Sequence, residues 1–514
     1  AHLPMLMMSR YNGYRMAGME MDATMLGGMV AILFGILLSG YGLMPCLPRR
    51  QKERGSNSQM HFDAADGAPL NREHWKVLAV LAVALIVDVL KPATLGFVIP
   101  DMMREYEISR LAASMLALVA LLGTTVGSIT WGRLADAFGR RSSILLAALM
   151  FIGTSICGAM PTFGWNLAMC FLMGLSAGGL LPITFTVIAE TVPASHRGWL
   201  LVALGAIGTS GGYLLAAGSA ALLVPEFSWR VLWLLGLPTG LLIVFLGHYI
   251  PESPRFLWTA GLESEARAVL SRFVGDQASA LRTRPEPAAH EAKPLAGSAV
   301  KLLRGSHATI TWCLVGCGVA WGLVNFGLLL WLPTNLNDLG ISEGVTRSLL
   351  AHAALLSVPG TAVAILLYYR WSSVKTLVLF TLLTAATLLV LFWLGVTHTR
   401  STTAMALVTA SLLIGSTGVI SMLIPYASEI YPVQCRGTGT GLIAASSKLG
   451  GVLGAGVGAW GGGGHFFASA LAIATLLAIA AMLLARCGVE TRGRTLDEIQ
   501  VTFAATKRMR EGAA

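Results

Sequence analysis

The chain has 514 residues, of which 55% are hydrophobic and only 12% are charged. Soluble domains carry about 25% charged residues, so this composition excludes a soluble globular protein, a disordered chain and a fibrous one. The formal net charge is +10. We do not expect a nucleic-acid partner, because the basic residues cluster in short segments between apolar runs, which is the positive-inside pattern of a polytopic membrane protein.

Thirteen apolar segments are long enough to span a bilayer, which requires about 20 mostly apolar residues. In chain order they cover roughly 23–45, 75–100, 110–131, 143–162, 164–189, 199–224, 228–250, 308–333, 346–369, 374–397, 402–428, 438–460 and 464–485. The twelve segments after the first form two sets of six, which we number as core spans 1 to 12. The predicted fold is therefore an all-α integral membrane protein with a six-plus-six arrangement and one extra N-terminal span.

The predicted organisation has five parts. They are a Met-rich tail with the extra span and a basic linker (1–74), an N-terminal six-helix half (75–250), a central loop (251–306), a C-terminal six-helix half (307–486) and a tail (487–514). A cleaved signal peptide is an alternative for the first apolar segment, but that segment is long and no A-x-A site follows it.

The Lys and Arg residues predict the orientation in the membrane. With the extra span starting outside, 27 of them fall on the cytoplasmic side and 7 on the outer side. This bias predicts a multi-pass protein of a bacterial-type inner membrane, with the central loop and the C-terminal tail in the cytoplasm.

Two loops of the chain are near copies of each other. Residues 190–198 and 429–437 both read E-x-x-P-x-x-x-R-G, at an offset of 239, and Glu252 recurs as Glu490 at an offset of 238. Such parallel repeats are typical of transporters whose halves move around a site at the midplane. Each loop offers an acid and an Arg that can form charge-assisted pairs between adjacent helices, and we expect these pairs to close the cytoplasmic side.

Residues 132–141 read G-R-L-A-D-A-F-G-R-R, which resembles the G-R-x-x-D-x-x-G-R-R signature of the major facilitator superfamily. The segments 251–257 and 490–498 resemble its sugar-porter and organic-ion branches. The resemblance covers about residues 75–500 and implies a secondary transporter with alternating access, not an enzyme. The residues predicted to act in gating are Gly132, Arg133, Asp136, Gly139, Arg140, Arg141, Glu190, Arg197, Glu252, Arg255, Glu429, Arg436 and Glu490.

Three charged residues lie deep in the core spans: Asp88 and Lys91 in span 1, and Lys448 in span 11. A charge at the bilayer centre costs about 2.5–3.5 kcal/mol on insertion scales, so each should face a cavity or a partner. Asp88 and Lys91 share a helical face and can neutralise each other. Lys448 is similar to the span 11 Arg of organic-anion carriers and aromatic-acid:proton symporters. Asp88 resembles the first Asp of their D-G-x-D motif, and Lys91 replaces the second.

The stretch from Asn325 to Trp331 resembles the N-[FY]-G-x-x-x-W-L-P segment of metabolite–proton symporters. We therefore expect Asp88 to couple protons, and Lys91, Lys448, Asn325 and Trp331 to bind the substrate. Helix packing is the alternative for Asn325, and an interfacial anchor for Trp331.

The predicted function is the proton symport of a small organic acid or anion. A sugar or organic-cation porter remains open. A copper carrier also remains open, because Met16, Met19, Met21 and Met25 offer the thioether ligands that Cu(I) prefers. The expected partners are the small-molecule substrate, protons and the bilayer. We expect a monomer without a cofactor or a resident metal.

Overall fold

The computed structural model describes residues 3–43, 69–259, 261–274, 303, 308–338, 340–397, 401–431, 436–460 and 464–491. Within these ranges the protein is helical and contains no strand. Eleven of the helices are long and apolar enough to cross a membrane, the N-terminal one at Ala23–Leu43 among them. Core spans 3 and 11 are helical as well, at Arg140–Gly153 and Arg436–Trp460, but they are not among these eleven. The count of twelve plus one therefore stays a prediction.

We number the α-helices in chain order. They are α1 Leu3–Ser9, α2 Ala23–Leu43, α3 Arg72–Glu105, α4 Arg110–Phe138, α5 Arg140–Gly153, α6 Phe163–Thr191, α7 Ala194–Phe227, α8 Arg230–Leu234, α9 Gly236–Leu246, α10 Pro254–Thr259, α11 Glu263–Val274, α12 Ala308–Gly322, α13 Leu332–Asp338, α14 Glu343–Arg370, α15 Ser373–Val396, α16 Thr402–Ile430, α17 Arg436–Trp460 and α18 Gly464–Cys487. A 3₁₀ turn, Thr154–Ala159, extends α5, and a π-helix, Leu323–Leu329, joins α12 to α13.

Several helices begin at a polar side chain that accepts a backbone N–H of the first turn. Asp22 accepts from the N–H of Thr24 at 2.9 Å before α2, and this bond lowers the pKa of Asp22. Ser372 accepts from the N–H of Lys375 at 3.1 Å at the start of α15. Such caps satisfy N–H groups that have no partner inside the helix.

The described chain divides into two compact units. Unit 1 contains residues 1–92, 122–204 and 226–291, and unit 2 contains residues 93–121, 205–225 and 292–514. Helices α3, α4 and α7 each contribute residues to both units, and the division into two six-helix halves stays a prediction. In unit 2, small residues bring α17 against core span 7, where a Cβ on Gly450 would strike the backbone of Val319 and one on Gly322 would strike that of Ser447. Close backbone approach at small residues is characteristic of membrane helices.

The central loop is folded in its first part, where α10 and α11 lie. Asn71 Nδ2 donates to the carbonyl oxygens of Arg272 and Phe273 at 2.9 and 2.8 Å. The ring of His74 lies 4.9 Å from that of Phe273. These contacts fix the end of α11 against the start of α3.

The Met-rich tail packs against other parts of unit 1, to which it belongs. Met16 and Met25 are buried in an apolar cluster with Met5, and Met19 and Met21 pack against that cluster. These methionines thus belong to the apolar core of the tail, and the copper-carrier alternative stays untested by this packing.

Arg230 fastens the tail to the end of core span 6. Its side chain is fully buried, and it donates to the carbonyl oxygens of Tyr14, Gly158 and Met160 at 3.0, 3.1 and 3.1 Å. Hydrogen bonds from a charged donor are about twice as strong as neutral ones. Arg230 thus links three backbone segments.

Candidate substrate site and gates

The substrate-site candidate of unit 2 is centred on the π-helix of core span 7. The N–H of Leu330 donates to the carbonyl of Asn325 at 2.9 Å, five residues back, and π-helical turns are frequent at functional sites. Asn325 is half-buried. Its Nδ2 donates to the hydroxyl of Ser416 at 2.7 Å and to the carbonyl of Trp321 at 3.0 Å. Asn325 therefore connects core span 7 to core span 10.

Lys448 lies on α17 beside this part of core span 7. Its neighbours Ser447 and Gly450 approach the backbones of Gly322 and Val319, whereas Lys448 itself is half-buried. Unit 2 thus brings the helix of Lys448 to the level at which the π-helix begins. That both spans contribute to one site stays a prediction.

Trp331 occupies a different environment from the one expected of a residue that stacks on cargo. Its side chain is fully buried, and the guanidinium of Arg110 lies 4.8 Å from the centre of its ring. Arg110 also donates to Asp338 Oδ2 and Asn335 Oδ1, both at 2.8 Å. In this structure Trp331 thus belongs to a polar cluster at the C-terminal end of core span 7, and its role towards substrate stays a prediction.

Asp88 and Lys91 are both buried in unit 1, with 5% and 1% of their surface exposed. Lys91 Nζ donates to the carbonyl of Phe151 at 2.9 Å and to the hydroxyl of Thr154 at 2.8 Å. The change from α5 to the 3₁₀ turn leaves these acceptors available to the ammonium. Lys91 is thus bound by groups of the protein in this structure, and its part in substrate binding stays a prediction.

Four of the predicted gating residues form a cluster at the end of unit 1 that the charge bias predicts to face the cytoplasm. Glu252 accepts the backbone N–H groups of Arg140 at 2.7 Å and of Arg141 at 3.2 Å, which are the first residues of α5. Burial raises the pKa of the Glu252 carboxyl, while these N–H groups and the charge of Arg140 act in the opposite direction. Arg140 also pairs with Glu190 at 3.3 Å. A carboxylate at this position satisfies free N–H groups and complements the helix dipole.

Gly139 makes this contact possible. Its φ of 106° is one that L side chains rarely adopt, and a Cβ there would strike the Glu252 carboxylate. This gives a physical reason for the glycine of the 132–141 motif.

The repeat in the sequence is also a repeat in structure, because Glu490 acts in unit 2 as Glu252 does in unit 1. Glu490 accepts from the N–H and hydroxyl of Ser373 at 3.0 and 2.6 Å, at the first residue of α15. Glu429, the counterpart of Glu190, accepts from the hydroxyls of Thr491 and Tyr368 at 2.5 and 3.3 Å. Glu190 and Glu429 thus each connect the ends of neighbouring spans. Their partners differ, because Glu429 accepts from hydroxyl groups whereas Glu190 pairs with an Arg.

The remaining gating predictions are less complete. Arg197 donates to the carbonyl of Val192 at 3.3 Å, within its own loop. The side chains of four further residues lie outside the described part of the structure, and these are Arg133, Asp136, Arg255 and Arg436. Gly132 is described only as part of helix α4. Their roles stay predictions.

An ion-pair network that the sequence analysis did not identify, which we call the outer network, lies at the end of unit 2 that the charge bias predicts to face outward. Asp101, near the end of α3, pairs with Arg347 of α14 at 2.9 Å, and Arg347 also pairs with Glu343 at 3.2 Å. Arg104 pairs with both Asp101 and Glu343. The side chains of Asp101 and Arg347 are only 12% and 13% exposed. Core span 1 is thereby joined to core span 8.

Comparisons with known proteins agree with this architecture. Residues 81–455 match the family model of the Major Facilitator Superfamily. The inner membrane metabolite transport protein YgcS of Escherichia coli (strain K12) is 30% identical over 402 residues, which cover 77% of this chain and 86% of that protein. The 4-hydroxybenzoate transporter PcaK of Pseudomonas aeruginosa is 29% identical, over 81% and 93% of the two chains.

Two further similarities extend the comparison. The niacin transporter NiaP of Acinetobacter baylyi is 25% identical over 84% of this chain and 98% of that protein. Among solved structures, the proton:xylose symporter XylE superposes with a TM-score of 0.66 at 18% identity, over 84% of this chain and 99% of that one. The latter identity is low, so this similarity concerns the fold alone. The chain therefore belongs to the Major Facilitator Superfamily and is a multi-pass inner-membrane transporter, not an enzyme.

Proposed function

We propose that this protein transports a small organic acid by alternating access and that proton symport drives the uptake. The observation that carries the proposal is the half-buried Lys448 beside the π-helix of Asn325. The ammonium of a lysine can bind a substrate carboxylate through a charge-assisted hydrogen bond. Asn325 adds an amide that can orient a second polar group of the substrate.

The similar transporters support an acidic substrate. Two of them are named for 4-hydroxybenzoate and niacin, which are both aromatic carboxylic acids. The sequence resemblance of Lys448 to a carboxylate-binding Arg points to the same class. An ammonium and a guanidinium both bind carboxylates, although only the guanidinium does so with a planar pair of donors.

Proton coupling is assigned to Asp88. It is the single acid deep in the core spans, and it is 5% exposed. A buried carboxylate is costly in free energy. If Asp88 takes up a proton in one conformation and releases it in the other, the proton gradient is coupled to the transport cycle.

The ion pairs at the span ends supply the gates. The outer network joins the ends of core spans 1 and 8 in unit 2, and the Glu252 cluster joins spans 3 and 4 to the segment after span 6 in unit 1. Pairs of this kind favour one discrete arrangement and must break for the other.

The test is ligand-induced stabilisation of purified protein against 4-hydroxybenzoate, nicotinate, xylose and a quaternary ammonium compound. We expect the two acids to raise Tm through preferential binding to the folded state. Lys448→Ala should abolish the shift and Lys448→Arg should retain part of it. Lys375→Ala removes an exposed lysine at the start of α15 and should leave the shift unchanged.

Stabilisation by xylose or the cation alone, equal in Lys448→Ala and the unmodified protein, would contradict the proposal. That outcome would assign the chain to the sugar or organic-cation alternative.

A further inference from the structure

An apolar cavity lies inside unit 1, between the extra helix α2 and core spans 3 and 6. Its volume is about 580 Å³, and twelve of its fourteen lining residues are apolar or glycine. The hydroxyl of Ser155, one of the two exceptions, donates to the carbonyl of Phe151 at 3.4 Å. Apolar cavities of this kind exclude water, and one of about 150 Å³ already holds a benzene-sized molecule.

The sequence of α2 explains why the cavity exists. Gly28, Ile32, Gly35 and Ser39 line it, and their spacing of three or four residues places them on one side of the helix. A Cβ on Gly153 of α5 would lie 3.0 Å from Ile32, so the two helices touch there. A Cβ on Gly35 would meet nothing within 4 Å, so α2 leaves space beside its point of contact.

The cavity is continuous with the lipid-facing surface. Two of its lining side chains, Ile32 of α2 and Leu237 of α9, are 37% and 50% exposed. The adjoining side chains Leu33, Leu37 and Leu241 are 51%, 72% and 54% exposed. Since α2 and the helices beside it cross the membrane, the medium at this opening is the hydrocarbon of the bilayer.

We propose that this cavity is a binding site for one acyl chain of a membrane phospholipid, held between α2 and core spans 3 and 6. The chain fills a space that the protein's own side chains leave empty and water does not enter. The bound lipid then fills the space between the extra helix and core spans 3 and 6. The freely exchanging lipid of the surrounding bilayer does not occupy this position.

The test is photo-crosslinking of the full chain in nanodiscs that contain a phospholipid with a diazirine in its acyl chain, followed by peptide mapping. We expect crosslinks on the cavity wall, at Ile156 and Leu234. Gly35→Leu fills the open space and should lower these crosslinks about tenfold, the effect of displacing about two buried methylene groups. Gly42→Leu is the matched control, because Gly42 lies on the same helix, also meets nothing within 4 Å and does not line the cavity.

Crosslinks to the exposed face at Leu37 should persist in all variants and serve as the internal reference. If Gly35→Leu compromises folding, as judged by size-exclusion profile and Tm, Gly35→Val gives the same test with a smaller side chain. Equal crosslinking of the cavity wall in Gly35→Leu and the unmodified protein, or labelling of the exposed face alone, would show surrounding lipid only and overturn the proposal. So would efficient chain-to-chain disulfide formation by Gly35→Cys without lipid crosslinks, since a second copy would then occupy the cavity.

Discussion

The proposed outer gate can be tested directly by mutating the Asp101–Arg347 pair. Asp101→Asn keeps the shape of the side chain and removes its charge, which leaves Arg347 with Glu343 at 3.2 Å. Both side chains of the pair are nearly buried. Loss of one charged partner in such a setting costs about 1.5–3 kcal/mol. The closed outer gate should therefore be weakened about 10- to 150-fold relative to the open state.

Accessibility of a cysteine below the gate measures this change. Thr94 lies in the same helix as Asp101, about two turns deeper, and is 1% exposed. In a Thr94→Cys protein whose seven native cysteines are replaced by serine, a membrane-impermeant maleimide added from outside should react slowly. Asp101→Asn should accelerate the reaction at least about tenfold.

The control is Arg104→Ala. The side chain of Arg104 is 59% exposed, and exposed ion pairs contribute about 0–1 kcal/mol. Its removal should change the rate by less than about fivefold. The gating account is refuted if Asp101→Asn leaves the rate unchanged, or if Arg104→Ala accelerates it equally.

Four further predictions follow from the contacts and the burial described above. Glu252→Gln should lower the free energy of unfolding by about 1–2 kcal/mol, because one amide oxygen cannot accept all the N–H groups that two carboxylate oxygens accept. Glu490→Gln should have a similar effect, because the hydroxyls of Ser372 and Ser373 donate to different oxygens of its carboxylate. Thermal unfolding followed by tryptophan fluorescence measures both variants. Burial raises the pKa of Glu252, so the contribution of this carboxyl to stability is fully present below the ordinary Glu pKa and falls as pH rises through the elevated one. The Tm advantage of the unmodified protein over Glu252→Gln should therefore shrink as pH rises above the ordinary Glu pKa, and a Tm difference that does not change with pH would contradict the shift. Arg230→Met should free three buried carbonyls and increase proteolytic cleavage of residues 3–22, whereas unchanged cleavage would show that the tail is held by its methionines alone. Asp88→Asn should abolish accumulation against a gradient and preserve downhill exchange, and continued accumulation would exclude Asp88 as the proton carrier.

The parts of the fold that follow from local sequence were predictable. Apolar length identified the extra helix at Ala23–Leu43, and the repeat identified Glu252 and Glu490 as equivalent residues before any contact was known. These features follow from helix length and from a duplicated pattern of charges, and both can be read along the chain.

The outer network and the environment of Lys91 were not predictable in this way. Asp101 and Arg347 are 246 residues apart, and each resembles an ordinary charge at a span end. The ammonium of Lys91 is bound by a carbonyl that only the end of α5 makes available. The π-helix at Asn325 leaves no periodic signal in the sequence, because one extra residue in a turn does not change the composition. Contacts set by tertiary packing require the structure.

The central claim is tested most directly by uptake of radiolabelled 4-hydroxybenzoate and nicotinate into proteoliposomes under an imposed inward proton gradient. The account predicts accumulation that a protonophore collapses, that Asp88→Asn abolishes and that Lys448→Ala reduces by at least about tenfold while Lys375→Ala does not. Accumulation of xylose or an organic cation in place of these acids, or acid uptake that is indifferent to Lys448, would contradict it.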